Sequence, residues 1–276
     1  MGLSALASIY AGTNSEELVH CLESLALQTL PADEIVIVLD GPVNSSVEQC
    51  LGRYSARLPI RLVPFSENRG LGPALRDGLL ECSHELVARV DTDDRSVLVR
   101  FETQVHFLEQ FPTVSIVGGM IREHCYHGSR KAQYVRSMPL SHQQICRTAR
   151  RRNPINHPTV AFRKNDILAC GNYGDYPFFE DYELWARVIS SGYLLRNIDQ
   201  VLVETTTNQA FFSRRGGLSY IHDEFFLARR LYQLGFLNSF QLTRFILTRV
   251  PVRLTPSPLM EFFYRTVLRT EEKAPD

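Results

Sequence analysis

The chain has 276 residues, which is room for one large domain or one domain with an appendage. Hydrophobic residues make up 44% and charged residues 22%, and this balance excludes disordered, collagen-like and low-complexity proteins. Thirty Lys and Arg residues balance thirty Asp and Glu residues, so the surface as a whole does not attract polyanions and we expect no nucleic-acid partner.

The sequence predicts a cytoplasmic protein that touches a membrane without crossing it. Its six cysteines form no C-x-x-C pair and no zinc-ligand spacing, which favours reduced thiols. The first residues lack the basic region of a signal peptide. No stretch approaches the roughly 18 uninterrupted apolar residues of a membrane-spanning helix.

Short apolar runs alternate with amphipathic segments through the first 120 residues. This alternation predicts an α/β fold with a mostly parallel sheet and helices on both faces. The last sixty residues read as helices, which we expect to form an appendage on the α/β body. The predicted strands cover 6–10, 35–39, 60–65, 85–90 and 114–117, and the predicted helices lie around 18–25, 44–57, 71–82 and 98–111.

Two acidic residues follow predicted strands directly. Asp40 comes after the apolar run 35–39, and Asp91 comes after 85–90. Ligands of parallel α/β sheets bind beyond the carboxyl ends of the strands. We therefore expect Asp40 and Asp91 to border one crevice although 51 positions separate them.

The segment Asp91-Thr92-Asp93-Asp94 places three carboxylates in four positions. Such crowding costs free energy unless a cation compensates it, and hard divalent cations prefer oxygen ligands. The segment therefore predicts a site for a metal and a substrate diphosphate. The alternative is a solvated acidic turn or a helix cap.

A second acidic pair, Glu180-Asp181, opens a predicted helix. Asp181 lies on the same helical stripe as Leu184, Trp185 and Val188. This stripe faces the core, and Asp181 stands at its N-terminal end. The alternative is that both acids only complement the helix dipole, which contributes about 0.3–1 kcal/mol.

Together with Asp40-Gly41, Asn68-Arg69-Gly70, Asn156-His157-Pro158-Thr159 and the run 179–185, these motifs resemble the inverting GT-A glycosyltransferases of family 2. The resemblance covers residues 4–217 and is nearest to bacterial enzymes that build O-antigen, capsule or exopolysaccharide on a lipid carrier. It implies a Rossmann-like GT-A domain over 1–217, followed by a helical C-terminal extension over 218–276.

The resemblance also implies a role for each matching residue. Asp93 would hold Mn²⁺ or Mg²⁺ at the donor diphosphate, and Asp181 would be the general base. Glu180, His157 and Trp185 would lie on the acceptor side, although His157 is equally well explained as a structural residue and Trp185 is better explained as part of the core. The donor would be a UDP-sugar. Tyr10, Ala11 and Asp40 would contact its uracil base, and Arg69 would line the nucleotide pocket. Asp91 and Thr92 would lie near the ribose, and Arg214 and Arg215 would belong to a loop that closes over the donor.

The chain departs from the family pattern in two places. Leu39 precedes Asp40 where many relatives carry a second acid, and there is no Q-x-x-R-W motif of processive members. These departures favour transfer of a single sugar. Arg214-Arg215-Gly216-Gly217 is similar to a loop of non-processive relatives, and an ordinary solvated loop is the alternative.

Basic segments indicate the acceptor. Residues 240–270 interleave aromatic residues with Arg244, Arg249, Arg253, Arg265 and Arg269, a composition suited to anionic lipid headgroups. The cluster Arg147 to Arg152 is suited to a lipid-linked diphosphate.

The sequence thus predicts an enzyme that transfers a sugar to a polyprenyl diphosphate-linked saccharide while peripherally bound at the inner face of the plasma membrane. The alternatives are a metal-dependent nucleotidyltransferase and a non-catalytic sugar-nucleotide or lipid-binding module.

Overall fold

The computed structural model of the protein describes residues 2–127, 130–176, 179–207, 218–254 and 270–272. Strands and helices alternate through the first half of the chain. The strands are β1 (Leu3–Tyr10), β2 (Glu34–Asp40), β3 (Ile60–Pro64), β4 (Leu86–Val90), β5 (Asp94–Ser96), β6 (Val114–His127), β7 (Arg130–Arg136), β8 (Ala161–Arg163), β9 (Leu194–Thr207) and β10 (Thr270–Glu272). The α-helices are α1 (Ser15–Ala26), α2 (Ser45–Tyr54), α3 (Leu71–Glu81), α4 (Arg100–Gln110), α5 (His142–Ala149), α6 (Lys164–Ala169), α7 (Glu180–Ser190), α8 (Leu218–Gln233) and α9 (Ser239–Leu254), and a 3₁₀ turn covers His157–Thr159.

The helix boundaries follow local capping chemistry. The side chain of Asn14 accepts hydrogen bonds from the backbone N–H groups of Glu16 and Glu17 and starts α1, as the sequence predicts. Asn44 caps α2 in the same way, and Ser141 with Gln144 forms a capping box at α5. These caps explain why the predicted helices begin close to their observed positions.

The strands form one mixed sheet in the order β10-β7-β6-β8-β4-β1-β2-β3, with β9 paired to β5 and β6. The run β4-β1-β2-β3 is parallel throughout, as predicted. Beyond β4 the sheet changes character, because β8 runs antiparallel to both β4 and β6, and β7 runs antiparallel to β6. The parallel half provides the edge at which ligands of such sheets bind.

The strand register places the predicted site residues on this edge. Tyr10, the last residue of β1, is the direct partner of Asp40, the last residue of β2. Ala7 of β1 is the partner of Val90, so Asp91 leaves β4 close to the end of β1. Asp40 and Asp91 therefore lie at the same edge of the sheet, on either side of β1.

The sheet separates two apolar layers. One contains the buried faces of α1, α2 and α4, and the other contains those of α3, α6 and α7. A third cluster joins Tyr182 and Ala186 of α7 to Leu227 and Leu231 of α8 and Phe245 of α9. The two C-terminal helices thus share a core with α7. The division of the chain at residue 217 stays a prediction, because 208–217 lies outside the described residues.

The C-terminal helices correct one expectation. Glu224 of α8 is 2% exposed and accepts hydrogen bonds from Arg249 Nε at 2.5 Å and Arg253 Nη2 at 2.8 Å. Phe245 is also buried. These two arginines and this aromatic ring face the protein interior and not a membrane, because a buried carboxylate compensates the cations. Arg265 and Arg269 lie outside the described residues.

Candidate active site

Asp40 holds the turn that starts α3. Its side chain is 3% exposed; Oδ1 accepts a hydrogen bond from the backbone N–H of Arg69 at 2.6 Å and Oδ2 accepts one from Gly70 at 2.9 Å. Gly70 has a φ of +90°, a conformation that favours glycine. Asp40 therefore acts here as a buried cap, and its contact with a nucleotide base stays a prediction.

The other predicted nucleotide contacts surround this turn. Tyr10 is half exposed at the end of β1, and Ala11 follows it at the surface. The Arg69 guanidinium pairs with Asp77 at 2.9 Å and lies 4.6 Å from the centroid of the Phe65 ring. Asp77 therefore holds the Arg69 guanidinium near the start of α3 and partly compensates its positive charge.

The acidic segment after β4 forms a compact cluster. Carboxylate oxygens of Asp91, Asp93 and Asp94 all lie within 4.8 Å of one another. Asp94 is buried and pairs through β5 with Thr205 of β9, and Thr92 is half-buried. Desolvation and the charge of Asp91 raise the pKa of Asp93 to about 6 and raise that of Asp94 well above its ordinary value. These oxygens match the donor set that Mn²⁺ or Mg²⁺ requires.

A buried cation lies behind this cluster. The guanidinium of Arg89, on β4, forms an ion pair with Asp91 and is 3% exposed. Its Nε has no hydrogen-bond partner among the described residues. The charge of Arg89 also lowers the pKa values of His157, Tyr173 and Glu180 relative to the effect of burial alone.

Asp181 occupies the first turn of α7. Its Oδ2 accepts a hydrogen bond from Asn153 Nδ2 at 2.5 Å, and its Oδ1 accepts one from the backbone N–H of Tyr182 at 2.7 Å. Asp181 is half-buried, so the carboxylate is held in one orientation while part of it faces solvent. Such an arrangement suits a group that receives a proton from a bound hydroxyl.

Glu180 and His157 form a buried pair next to Asp181. The His157 Nδ1 lies 4.0 Å from Glu180 Oε1, and its Nε2 is 3.0 Å from the Tyr173 hydroxyl. Burial and the charge of Asp181 raise the pKa of Glu180 to about 8. Burial and the charge of Arg89 lower the pKa of His157 well below its ordinary value. Both shifts favour the neutral form of the side chain concerned.

Trp185 is not available to the acceptor side and occupies the core, which is the alternative that the sequence favours. Its side chain is completely buried in the core and packs edge-on against His157 at 5.8 Å between ring centroids. The indole has no surface with which to contact a sugar. Among the three residues expected on the acceptor side, Trp185 is part of the core, and Glu180 and His157 are 7% and 8% exposed.

Helix α7 is anchored to α8 by charges. Glu183 is 1% exposed and accepts hydrogen bonds from Arg187 Nε at 2.7 Å and Arg230 Nε at 3.0 Å. The guanidinium of Arg249 lies 5.8 Å from the centroid of the Tyr182 ring. The C-terminal helices thus fix the element that carries Asp181.

A close backbone contact joins the two sides of the site. A Cβ on Gly72, in the first turn of α3, would lie 2.3 Å from the carbonyl oxygen of Gly174 and 3.5 Å from Glu180 Cβ. The absence of a side chain at Gly72 therefore lets α3 lie directly against the segment that leads into α7.

A polar groove of about 200 Å³ adjoins Asp93. Its walls come from α1, β5, β6 and β9, and they carry both acidic and cationic groups. The other lining residues are Glu17, His20, Arg95, His124, Glu204, Thr205 and Thr206.

Sequence reasoning missed three residues of this site. Arg89 is a cation inside the apolar run 86–90, and that conflict is a signal that a buried partner exists. Asp94 was counted in the acidic segment without a role of its own. Asn153 carries no signal, because only the fold brings it to Asp181. Arg214 and Arg215 lie outside the described residues.

Comparison with known proteins identifies the family. The model for glycosyl transferase family 2 matches residues 9–171. The chain is 40% identical to the amylovoran biosynthesis glycosyltransferase AmsE of Erwinia amylovora over 264 residues, which is 95% of this chain and 97% of AmsE. It is 32% identical to a UDP-Gal:α-D-GlcNAc-diphosphoundecaprenol β-1,3-galactosyltransferase of Escherichia coli over 266 residues, which is 96% of each chain.

A solved structure shares the fold. TarS 1–349 of S. aureus, determined in complex with UDP-GlcNAc, superposes with a TM-score of 0.66 at 17% identity and covers 97% of this chain and 77% of its own. The parallel half of the sheet and the helices on both faces agree with this likeness. The family match and the near full-length relatives together show that the chain is a glycosyltransferase of family 2.

Proposed function

We propose that this enzyme is a metal-dependent inverting glycosyltransferase that moves one sugar from a UDP-sugar to a polyprenyl diphosphate-linked saccharide during synthesis of a surface polysaccharide. One observation supports this most. The carboxylate oxygens of Asp91, Asp93 and Asp94 lie within 4.8 Å of one another, and the charges of both Asp91 and Asp181 raise the pKa of the buried Tyr173.

The donor side needs a cation. Asp91, Asp93 and Asp94 would hold Mn²⁺ or Mg²⁺, and the cation would offset the desolvation and the repulsion from Asp91 that raise the pKa of Asp93. When bound, the metal would offset negative charge on the departing nucleoside diphosphate. Tyr10 lies along the same edge, as does the turn at Arg69 and Gly70 that Asp40 holds, and both would contact the nucleotide.

The acceptor side needs a base. Asp181 would take the proton from the attacking acceptor hydroxyl as the new glycosidic bond forms on the face of the sugar opposite the leaving diphosphate. Displacement in one step inverts the configuration of the anomeric carbon. Asn153 would keep Asp181 aimed at the hydroxyl, and the neutral Glu180 avoids a second negative charge beside the base.

The names of the relatives support the substrate class. The Escherichia coli relative uses UDP-Gal and a diphosphoundecaprenol-linked acceptor by its name, and AmsE acts in amylovoran biosynthesis. The structural neighbour binds UDP-GlcNAc. A nucleotidyltransferase or a non-catalytic module has no comparable support, because the family match and these relatives concern glycosyltransferases.

A lipid-linked acceptor also suggests where the enzyme contacts the inner face of the plasma membrane. No helix among the described residues has the length and apolar character to cross a bilayer. Phe240 and Leu247 of α9 are 75% and 67% exposed, and the exposed Arg244 lies on the same helical stripe. This stripe combines apolar side chains with a cation, which suits peripheral contact with anionic lipid.

Substitution of Asp181 tests the proposal. Asp181→Asn should reduce sugar transfer by a factor of about 10²–10⁴, the usual contribution of a general base. Binding of the UDP-sugar with Mn²⁺ should stay unchanged. Asp166→Asn, on α6, is the matched control. Full transfer activity in Asp181→Asn would show that Asp181 is not the base. A screen of UDP-sugars with the wild-type enzyme identifies the donor for this assay.

A further inference from the structure

Four exposed arginines cluster where α5 ends. Arg147 lies in the last turn of the helix, and Arg150, Arg151 and Arg152 follow in succession. All four side chains are exposed. In the part of the chain that the structure describes, none of these guanidinium groups forms an ion pair or a side-chain hydrogen bond.

This cluster differs from the other arginines of the chain. Eleven of the other arginines whose side chains the structure describes have a carboxylate partner, several of them at the surface. Four uncompensated cations within six positions concentrate positive charge on this part of the surface, which favours an anionic partner. The arginines with carboxylate partners are Arg57, Arg61, Arg69, Arg76, Arg89, Arg122, Arg136, Arg187, Arg230, Arg249 and Arg253.

The cluster borders the proposed base. Arg152 is followed directly by Asn153, whose Nδ2 donates to Asp181 Oδ2 at 2.5 Å. Consecutive Cα atoms are about 3.8 Å apart, so Arg150, Arg151 and Arg152 lie within a few residue lengths of Asn153. Asn153 contacts Asp181, so the three arginines are also near Asp181. The carbonyl oxygen of Thr148 accepts hydrogen bonds from the backbone N–H groups of Arg151 at 2.8 Å and Arg152 at 2.9 Å, which fixes the turn that presents them.

We propose that Arg150, Arg151 and Arg152 bind the diphosphate of the lipid-linked acceptor and so place its first sugar against Asp181. This inference rests on the proposed function. A diphosphate diester carries two negative charges, and the planar guanidinium donates paired hydrogen bonds to phosphate oxygens. Only the sugar ring separates that diphosphate from the hydroxyl that reacts, which agrees with arginines adjacent to the partner of the base. Arg147, one turn earlier on α5, adds a fourth positive charge.

The test compares two soluble acceptors that share one sugar and one short alkyl chain. In the first, the diphosphate acceptor, an α-diphosphate joins the anomeric carbon of the sugar to the alkyl chain. In the second, called the ether acceptor, a single oxygen atom joins them. N-acetylglucosamine is the sugar to use first, from the name of the Escherichia coli relative. The wild-type enzyme should prefer the diphosphate acceptor. The readout is the ratio of the two kcat/KM values.

Substituting the arginines should abolish that preference. Each single change to Gln should raise KM for the diphosphate acceptor roughly tenfold, because it removes charge-assisted hydrogen bonds to the phosphate oxygens. Activity on the ether acceptor and binding of the UDP-sugar should not change. Replacing all three arginines with Lys should restore part of the preference, because Lys keeps the charge but not the paired donors. Arg53→Gln, an exposed arginine on α2, is the matched control.

The outcomes separate the possible failures. If the wild-type enzyme shows no preference for the diphosphate acceptor, the proposed acceptor class is wrong. If the wild type prefers it and the Gln variants keep the preference, or lose activity equally on both acceptors, the role of the three arginines is wrong. If the variants lose binding to anionic phosphatidylglycerol vesicles and keep the preference, the cluster binds lipid headgroups, which also contradicts the proposal.

Discussion

Arg89 and Asp91 form an ion pair that links the interior of the protein to the open edge of the sheet. The guanidinium is 3% exposed, whereas the carboxylate is 29% exposed. The two residues are separated by one position in the chain, so both side chains leave β4 toward the same face. The pair therefore gives the acidic cluster a fixed buried counter-charge.

Removal of this buried cation should destabilise the fold. Arg89→Met should lower the free energy of unfolding by about 3–5 kcal/mol, because it leaves Asp91 beside two other carboxylates without its cation. The matched control is Arg57→Met. Arg57 pairs with Glu23 at the surface, with side chains 52% and 38% exposed, and its loss should cost about 0–1 kcal/mol. Urea unfolding without added metal measures both, and equal effects would contradict the assigned role of Arg89.

The acidic cluster should bind metal through Asp93. Asp93→Asn should weaken Mn²⁺-dependent binding of UDP by at least about tenfold, because it removes one charged oxygen ligand from a site that a divalent cation shares with a diphosphate. Titration calorimetry with UDP, with and without Mn²⁺, gives the comparison. Glu48→Gln, an exposed acid on α2, should have no effect. Unchanged Mn²⁺-dependent affinity in Asp93→Asn would rule out Asp93 as a ligand.

Glu180 should make stability fall with rising pH. Its pKa is about 8 in the folded protein and 4.5 ordinarily. Between these values the folded state retains a proton that the unfolded state releases, so the free energy of unfolding decreases as the pH rises from about 5 to 8. Glu180→Gln has no proton to release and should lack this decrease, which is on the order of a few kcal/mol.

Urea unfolding at pH 5, 6.5 and 8 measures the difference between Glu180→Gln and the wild-type protein. Comparing the two removes the contribution of other titrating groups. Glu16→Gln, an exposed acid in the first turn of α1, should follow the wild-type curve. The assignment fails if the stability of Glu180→Gln declines with pH as steeply as that of the wild type.

The exposed stripe of α9 should carry membrane affinity. Phe240→Ser and Leu247→Ser should each weaken binding to vesicles with anionic lipid by roughly tenfold, since burial of such a side chain contributes about 1.5–3 kcal/mol. Co-sedimentation at low and high salt measures the loss. Leu27→Ser, at a 63% exposed leucine after α1, is the control. Equal binding by all variants would place the contact outside this stripe.

The parallel half of the fold could be predicted because its signals are local. Periodicity and capping residues mark α1, α2 and α3, and the general rule for strand ends brings Asp40 and Asp91 to one edge. The antiparallel half could not be predicted. The sequence indicates a strand at 159–162, close to β8, but the place of β8 between β4 and β6 depends on pairing between distant segments.

The same difference applies to the charged residues. Arg249 and Arg253 resemble surface cations in composition, but Glu224, 25 and 29 positions earlier, draws them into the interior. Asn153 reaches Asp181 across 28 positions. The residue types that perform the chemistry could be predicted from motifs, whereas the residues that orient them depend on tertiary contacts that no motif records.

Gly72 affects how closely the two sides of the site approach each other. The backbone of α3 lies directly against the carbonyl oxygen of Gly174, so a side chain at position 72 would push α3 away from the segment that leads into α7. Close-packed contacts of this kind compress little. On the proposed function, Gly72 therefore helps to set the spacing between the nucleotide turn at Arg69 and Gly70 and the carboxylate of Asp181.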